Sequence, residues 1–402
     1  VPKKHWNGTH RSLAPDETVR RLAPFIKTFG ITRVANVTGL DWLGIPVVMV
    51  CRPNSRSLSV SQGKGLTLDA ARASGLMESI ELFHAEHISL PLKIGSFREM
   101  SKYHKVVNPE ELPSLNRLNY HAHAELLWVE GYDLLNERPT WVPYECVSVN
   151  TSSQNRPGQG HYELSSNGLA SGNNLLEAIV HGMLEVVERD AMTLWHRRKT
   201  VLREASCIDL DSCDNSNCRK LIAQCRDAGL HIFVWETTSD VGLPAFSCLL
   251  HEGHNNPLRL PYASEGMGCH LSATIALLRA ITEAAQCRLT LITGSRDDIF
   301  RAQYQLNNLG STYLPEHLAL VPPKVRLRKF PNTSSIELET FNEDIRLMLD
   351  RIHTTGVKQV IVVPLTETES PFQVVKVVIP GLEGYDAAPS YAPGKRAQQL
   401  RN

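Results

Sequence analysis

Three long segments of this 402-residue chain place carboxylates inside otherwise apolar helices, and no other feature constrains the fold as tightly. Thr67 to His87, Asn174 to about Lys199, and about Ser272 to Thr290 read as helices. Residues three, four, seven, eight and eleven apart share a helix face. On the first helix that rule groups Ser74, Glu78 and Glu81. The second presents Glu177, His181, Glu185 and Glu188, and the third Ser272, Arg279, Glu283 and Gln286.

A solvated face pairs its acids with Lys or Arg one turn away. The first stripe has no such partner, and its neighbours Ala70, Ala71, Ala73 and Gly75 are small enough for close packing. Ala280, Ala284 and Ala285 do the same on the third helix. Buried like-charged carboxylates repel and take up protons unless a cation sits among them. Hard divalent ions with oxygen ligands fit best, and magnesium shares its ligands with phosphates. Lys64, Arg189, Arg279 and Arg288 are the cations that complement phosphate oxygens. Arg288 projects off the stripe on an ideal helix, so its inclusion requires a distortion or an exit from the helix there.

No P-loop competes for a nucleotide. Gly63-Lys64-Gly65-Leu66 lacks both the preceding Gly and the Ser or Thr directly after the lysine. The loop Ser165 to Asn173 is rich in small donors suited to a sugar or base.

The formal charge is zero, 42 basic against 42 acidic residues, which argues against nucleic acid or anionic membrane held by bulk charge. The start of the chain has no apolar stretch behind its lysines, and no run reaches membrane-spanning length. A cytoplasmic protein is expected. Cys207, Cys213, Cys218 and Cys225 cluster without the close Cys pairs of structural zinc sites, so ordinary thiols are expected. His121, His123 and Glu125 look metal-like, but the alternation after them favours a strand with its polar side in water.

Elsewhere the chain mixes strands and helices without strict βαβ alternation. Arg33 to Cys51 reads as strand, turn, strand; Leu126 to Leu135 and Trp141 to Val149 as strands; Pro157 to Gly160 as a loop. Residues 207–250 read as an inserted α/β unit, with a helix near Ser216 to Ala228. Pro322-Pro323 closes the third-helix region. A helix at Phe341 to Thr355 and strands at Lys358 to Pro364 and Phe372 to Pro380 end the pattern. The expectation is a single domain over 1–402 of the α+β, or mixed α/β, class, with a possible subdomain at about 207–250.

At these residues the sequence resembles the YcaO family of ATP-dependent, peptide-modifying enzymes. The most specific pieces are Asn167-Gly-Leu-Ala-Ser-Gly-Asn-Asn-Leu-Leu-Glu177 with Glu185-Val-Val-Glu-Arg-Asp190, and Arg279-Ala-Ile-Thr-Glu-Ala-Ala-Gln-Cys-Arg288 preceded by Gly266-Met-Gly-Cys-His270. Ser74-Gly-Leu-Met-Glu-Ser-Ile-Glu81 also fits, but Leu82 stands where the family pattern has Arg. The resemblance implies ATP between packed helices, with magnesium on Glu78, Glu81, Glu185, Glu188 and Glu283. It implies that Asn173 and Glu177 approach the nucleoside, and that Lys64, Ser74, Arg189, Arg279, Gln286 and Arg288 serve phosphates or order the acids. No residue is assigned as catalytic base.

Gly8-Thr-His-Arg11 and Arg52-Pro-Asn-Ser-Arg56 look like members that occur with a TfuA partner protein. That resemblance, a tail without the Pro-rich ending of azoline formers, and the lack of a fused leader-binding region lean towards thioamidation of a ribosomally made peptide. Azoline-forming cyclodehydration, a non-catalytic ATP-binding accessory role and an unrelated metal-dependent hydrolase are the alternatives. A homodimer is expected from the family.

Overall fold

The computed structural model describes residues 1–113, 122–152, 159–252, 263–299, 320, 327–332, 335–387 and 391–400. His121, Pro157, Gly158, Pro322 and Pro323, which carry expectations above, lie outside the described residues. The helices are α1 (Pro15–Leu22), α2 (Leu68–Glu86), α3 (Phe97–Tyr103), α4 (Leu175–Arg197), α5 (Thr200–Glu204), α6 (Ser216–Asp227), α7 (Ala273–Thr293), α8 (Phe341–Thr354) and α9 (Lys395–Gln399). The three longest are the three striped segments.

Three antiparallel sheets carry them. β1 (Arg33–Asn36), β2 (Val47–Cys51) and β3 (Val60–Lys64) form the first, in that order. The largest comprises β4 (Leu92–Ser96), β5 (Glu125–Asp133), β6 (Arg138–Pro143), β7 (Leu169–Gly172), β13 (Ile361–Pro364) and β14 (Gln373–Val378), in the order β4-β5-β13-β14-β7 with β6 also on β5. β9 (Leu230–Glu236), β10 (Ala245–Glu252) and β11 (Ala263–Cys269) form the last. Two short parallel segments, β8 (Ile208–Asp209) and β12 (Arg328–Lys329), pair beside it. This is the mixed α+β fold expected from the sequence.

Local chemistry sets the helix ends. The Thr67 side chain caps α2 by accepting from Ala70 N, and Asn174 caps α4 by accepting from Glu177 N. Gly294, with φ of 58°, ends α7 in the left-handed conformation that favours glycine. β6 stops at Pro143 and turns through Tyr144–Cys146, so the strand expected to run on to Val149 is shorter.

The small residues in the helices have a physical cause. α2 lies so close on β3 that a Cβ at Gly63 would come within 2.0 Å of the Ala71 carbonyl. A Cβ at Gly268 on β11 would come within 2.1 Å of the Ala276 carbonyl of α7. Glycine on the strand and alanine or glycine on the helix let each helix sink onto its sheet. Their polar stripes are thereby directed towards a common interior.

The segment 207–250 packs against elements beyond it. β10 continues its pairing into β11, and Leu221, Ile222 and Cys225 of α6 share an apolar cluster with Leu277 and Ile281 of α7. Cys213 and Cys218 are buried in the same cluster. Along β5 exposed and buried residues largely alternate, with Glu125 exposed at its start. No helix among the described residues is long and apolar enough to cross a membrane.

Candidate functional site

The stripes of α2, α4 and α7 face one cavity of about 430 Å³. Ser74, Glu78 and Glu81 come from α2; Glu177, His181, Glu185, Glu188 and Arg189 from α4, with Asn173 just before it. α7 contributes Arg279, Glu283 and Gln286, and β3 contributes Lys64. Residues far apart in the chain are thus brought together by helices pressed on three different strands.

Burial is the dominant electrostatic fact. It raises the carboxyls of Glu78 and Glu188 above their ordinary range, Glu81 to about 8 and Glu185 to about 7. Charges on Glu78 and Glu185 add to the rise at Glu81, while a hydrogen bond from Ser171 Oγ opposes it. Glu283 goes the other way. Burial would raise it as well, but Lys64 Nζ at 2.6 Å, with Arg189 and Arg279, holds it down at about 2. Burial works against the Arg189 charge, yet Glu188, Glu283 and Glu185 together raise its pKa.

The pairing among these charges is incomplete. Glu188 is 3.8 Å from Arg189 and 3.9 Å from Arg279, too far for hydrogen bonds. Glu188 Oε2 and Arg279 Nε are both buried without a hydrogen-bond partner. The two charges face each other as a loose ion pair, and each keeps a buried atom with hydrogen-bonding capacity to spare for a ligand carrying both signs. A magnesium triphosphate has that character. Among the described residues no three acidic, His or Cys side chains form a ready metal cage. Magnesium suits this arrangement, because it takes one or two carboxylates and completes its shell with waters and phosphate oxygens.

Asn173 and Glu177 have a structural task besides lining the cavity. Glu177 accepts from Ser12 N at 2.9 Å, Ser12 Oγ at 2.6 Å and Asn173 Nδ2 at 3.0 Å. Asn173 Oδ1 accepts from Thr18 Oγ1 at 3.0 Å. Together they hold the N-terminal segment over this end of the cavity, where Arg11 Nη1 lies 3.6 Å from Glu177. Arg11, Ser171 and Arg296 also line the cavity. Sequence reasoning gave Arg11 and Arg296 no site role, since no spacing rule links the N-terminal segment to α4, or Arg296 beyond the end of α7 to the stripe within it; it reached Ser171 only as part of the donor-rich loop Ser165 to Asn173.

Arg288 requires a correction. α7 runs without interruption past it, so the distortion needed to bring it to the stripe is absent. It points into a buried cluster instead, with Nε 2.6 Å from Asp41 and Nη2 2.5 Å from Glu252, and it does not line the cavity. Ser272 also leaves the stripe. It stands at the N-cap position of α7 without a side-chain capping bond, its hydroxyl donating to Ser335 instead. Gln286 stays in the cavity, its Nε2 3.5 Å from Gln62 Oε1. Leu82 borders the cavity and is buried in an apolar cluster with Phe29, Ile80 and Leu169.

Residues 62–383 match the family model described as YcaO cyclodehydratase, ATP- and Mg2+-binding. An uncharacterized protein encoded in the tfuA 3′ region of Rhizobium leguminosarum bv. trifolii is 35% identical over 93% of this chain and 88% of its own length. An uncharacterized protein of Methanothermobacter thermautotrophicus is 31% identical over 94% of this chain and 96% of its own. Among solved structures, YcaO from Methanopyrus kandleri, bound with AMPPCP and Mg2+, is similar with a TM-score of 0.75 and 20% identity, covering 98% of this chain and 99% of that one. A heterocyclase in complex with substrate and cofactor has a TM-score of 0.77 at 23% identity; the match covers 96% of this chain and only 55% of that one. With the match spanning most of its length and the stripes meeting in one cavity, the chain belongs to the YcaO family of ATP- and Mg2+-dependent enzymes.

Proposed function

We propose that this chain activates a backbone amide of a ribosomally made peptide by phosphorylating its oxygen, and that the product is a thioamide. The observation that carries the reading is the cavity's mixture of crowded carboxylates and incompletely paired cations. Relatedness to a protein encoded beside tfuA supports the sulfur-dependent product and a TfuA-like partner. A homodimer belongs to the same proposal.

In this reading Glu78, Glu81, Glu185, Glu188 and Glu283 hold magnesium. Lys64, Ser74, Arg189, Arg279 and Gln286 face the phosphates, and Asn173 and Glu177 meet the nucleoside end. Arg288 is left out, because its guanidinium is committed to Asp41 and Glu252. Bound magnesium and ATP supply a phosphoryl group that turns the amide oxygen, otherwise a poor leaving group, into phosphate. The balance is simple: sulfide adds to the amide carbon, the carbonyl oxygen departs as phosphate, and ATP becomes ADP. The surrounding cations offset charge gathering on the transferring group, and the buried walls keep water from it.

Co-expression with the neighbouring peptide and a TfuA-like protein, read by intact mass, tests the product. A sulfur-for-oxygen exchange is expected. Loss of one water would assign an azoline-forming cyclodehydratase instead, and no peptide-dependent ADP release with sulfide and partner supplied would leave an accessory protein. The residue assignment has its own test. Glu185→Gln with Glu283→Gln should abolish magnesium-ATP binding in calorimetry, and unchanged affinity would overturn it.

A further inference from the structure

Arg52, Arg288 and Arg396 are largely buried, and the fold treats them alike. Each gives two N–H groups to carboxylates, of Glu86, of Asp41 and Glu252, and of Asp190, at distances between 2.5 and 3.0 Å. A guanidinium bound in that way is neutralised and has part of its donor edge occupied. Arg189, which lines the cavity, is held differently. Its guanidinium carbon lies 5.3 Å from the centre of the Tyr385 ring, over the face. Among the described residues its guanidinium makes one hydrogen bond, from Nη1 to Met267 Sδ at 3.5 Å, and a thioether is a weak acceptor. The carboxylate beside it, Glu188, stands 3.8 Å from Nη2.

An aromatic face holds a cation without consuming its hydrogens. The electron-rich face attracts the guanidinium through its plane, whereas the N–H groups of arginine lie in that plane and point outward from its edge. We infer that Tyr385 is a positioning residue for phosphate recognition: its ring fixes the plane of Arg189 and leaves the N–H edge for phosphate oxygens of the bound nucleotide. Tyr385 does not itself line the cavity, so it acts through the arginine. The ring is in turn fixed from both sides. The Gly384 carbonyl accepts from Thr193 Oγ1 at 2.6 Å, and Asp386 N donates to the same hydroxyl at 3.1 Å. One residue earlier, Glu383 N donates to Asp190 Oδ1 at 2.9 Å. Asp190 follows Arg189 directly on α4, and Thr193 lies one turn further on. The segment 383–386 is thus tied to the helix that carries the arginine, and ring and guanidinium are held on one element.

The inference rests on the reading of Arg189 as a phosphate-facing cation, and a double-mutant cycle keeps the two apart. Calorimetry gives the magnesium-ATP affinity of the native chain, Tyr385→Leu, Tyr385→Phe, Arg189→Met and the Tyr385→Leu plus Arg189→Met pair, each first shown to be folded by its melting curve. Tyr385→Leu should weaken binding about three- to tenfold, the range of a partly buried cation–π contact. Tyr385→Phe keeps the face and should recover the native affinity. In the Arg189→Met background Tyr385→Leu should have no further effect, a result that a merely structural role of the tyrosine would not produce. Fluorinated phenylalanines in place of Tyr385 repeat the test at nearly constant shape, and decide it should Tyr385→Leu not fold: affinity should fall stepwise as fluorine drains the face. Equal losses from Tyr385→Leu in both backgrounds, an equal loss in Tyr385→Phe, native affinity in Tyr385→Leu, or affinity independent of fluorine content would each overturn the inference and leave Arg189 at the phosphates. Native affinity in Arg189→Met would overturn the reading of Arg189 and the inference with it.

Discussion

Lys64 Nζ lies 2.6 Å from Glu283 Oε2, joining β3 to α7 across the cavity. Neither side chain is open to water, with 20% and 15% of their surfaces exposed. Removing one partner strands the other in a poorly solvated place. Lys64→Met and Glu283→Gln should therefore be coupled by roughly 1–3 kcal/mol in urea unfolding of the ligand-free protein. Additive effects would show that the contact contributes nothing to the fold.

Arg288 gives the opposite kind of prediction. Its guanidinium neutralises Asp41 and Glu252 in a buried cluster outside the cavity. Arg288→Met should cost about 3–5 kcal/mol of stability, because two carboxylates lose their cation. Magnesium-ATP affinity of the folded variant should not change. A variant of native stability with affinity weakened about tenfold would return Arg288 to the phosphates.

Gly63 tests the close approach that forms the cavity. An added Cβ would meet backbone atoms, the Ala71 carbonyl at 2.0 Å and the Gly75 nitrogen at 2.1 Å, and neither can rotate away. Gly63→Ala should lower stability by the upper end of about 1–3 kcal/mol and weaken magnesium-ATP binding by displacing α2. Melting and calorimetry on the same sample give both readings. Native values in both would mean that α2 adjusts without consequence.

Glu86 supplies a pH dependence remote from the cavity. Burial pushes its carboxyl up, but Arg52 together with the Ser57 and Ser55 hydroxyls holds it down at about 2. A carboxyl depressed in the folded state contributes stability that is present above its unfolded pKa of about 4.5 and lost as pH falls through about 2. The native chain should therefore lose stability faster than Glu86→Gln between those limits. Parallel curves from chemical denaturation would contradict this.

How much of this was legible in the sequence depends on the range of each interaction. Helical periodicity is local, so Glu78, Glu81, Glu185, Glu188 and Glu283 could be grouped before any fold was known, and the structure does bring them to one cavity. The small residues beside them signalled close packing, though not that the partner was a strand, because Gly63 and Gly268 lie outside the helices they support. Arg288 shows the converse. Its angular position on the helix pointed away from the stripe, and its charge, with the family pattern, drew it in despite that geometry. Ser12, Thr18 and Arg11 were hidden for another reason. Their role depends on a chain segment folding back over α4 from more than 150 residues away, and nothing periodic records such a return.

Leu82 is the remaining departure from the family pattern, and its surroundings decide what it can change. The side chain is buried among apolar neighbours, including Phe29, Ile80 and Leu169, while one side borders the cavity near Glu78 and Glu81. Leu82→Ala should cost about 2–5 kcal/mol of stability, as for other buried leucines. An arginine at this position must leave the apolar pocket and direct its charge into the cavity, where it meets carboxylates proposed to hold magnesium. It would compete with the ion for them and leave a void behind. Lys64, Arg189 and Arg279 already provide cations on the other walls, so the native leucine removes no unique contact. Leu82→Arg should therefore fold less stably and bind magnesium-ATP no more tightly than the native chain. Peptide-dependent ADP release, with sulfide and a TfuA-like partner present, should be measurable in the native chain and should not rise in the variant. A silent native chain beside an active Leu82→Arg variant would mark the native protein as a non-catalytic ATP binder.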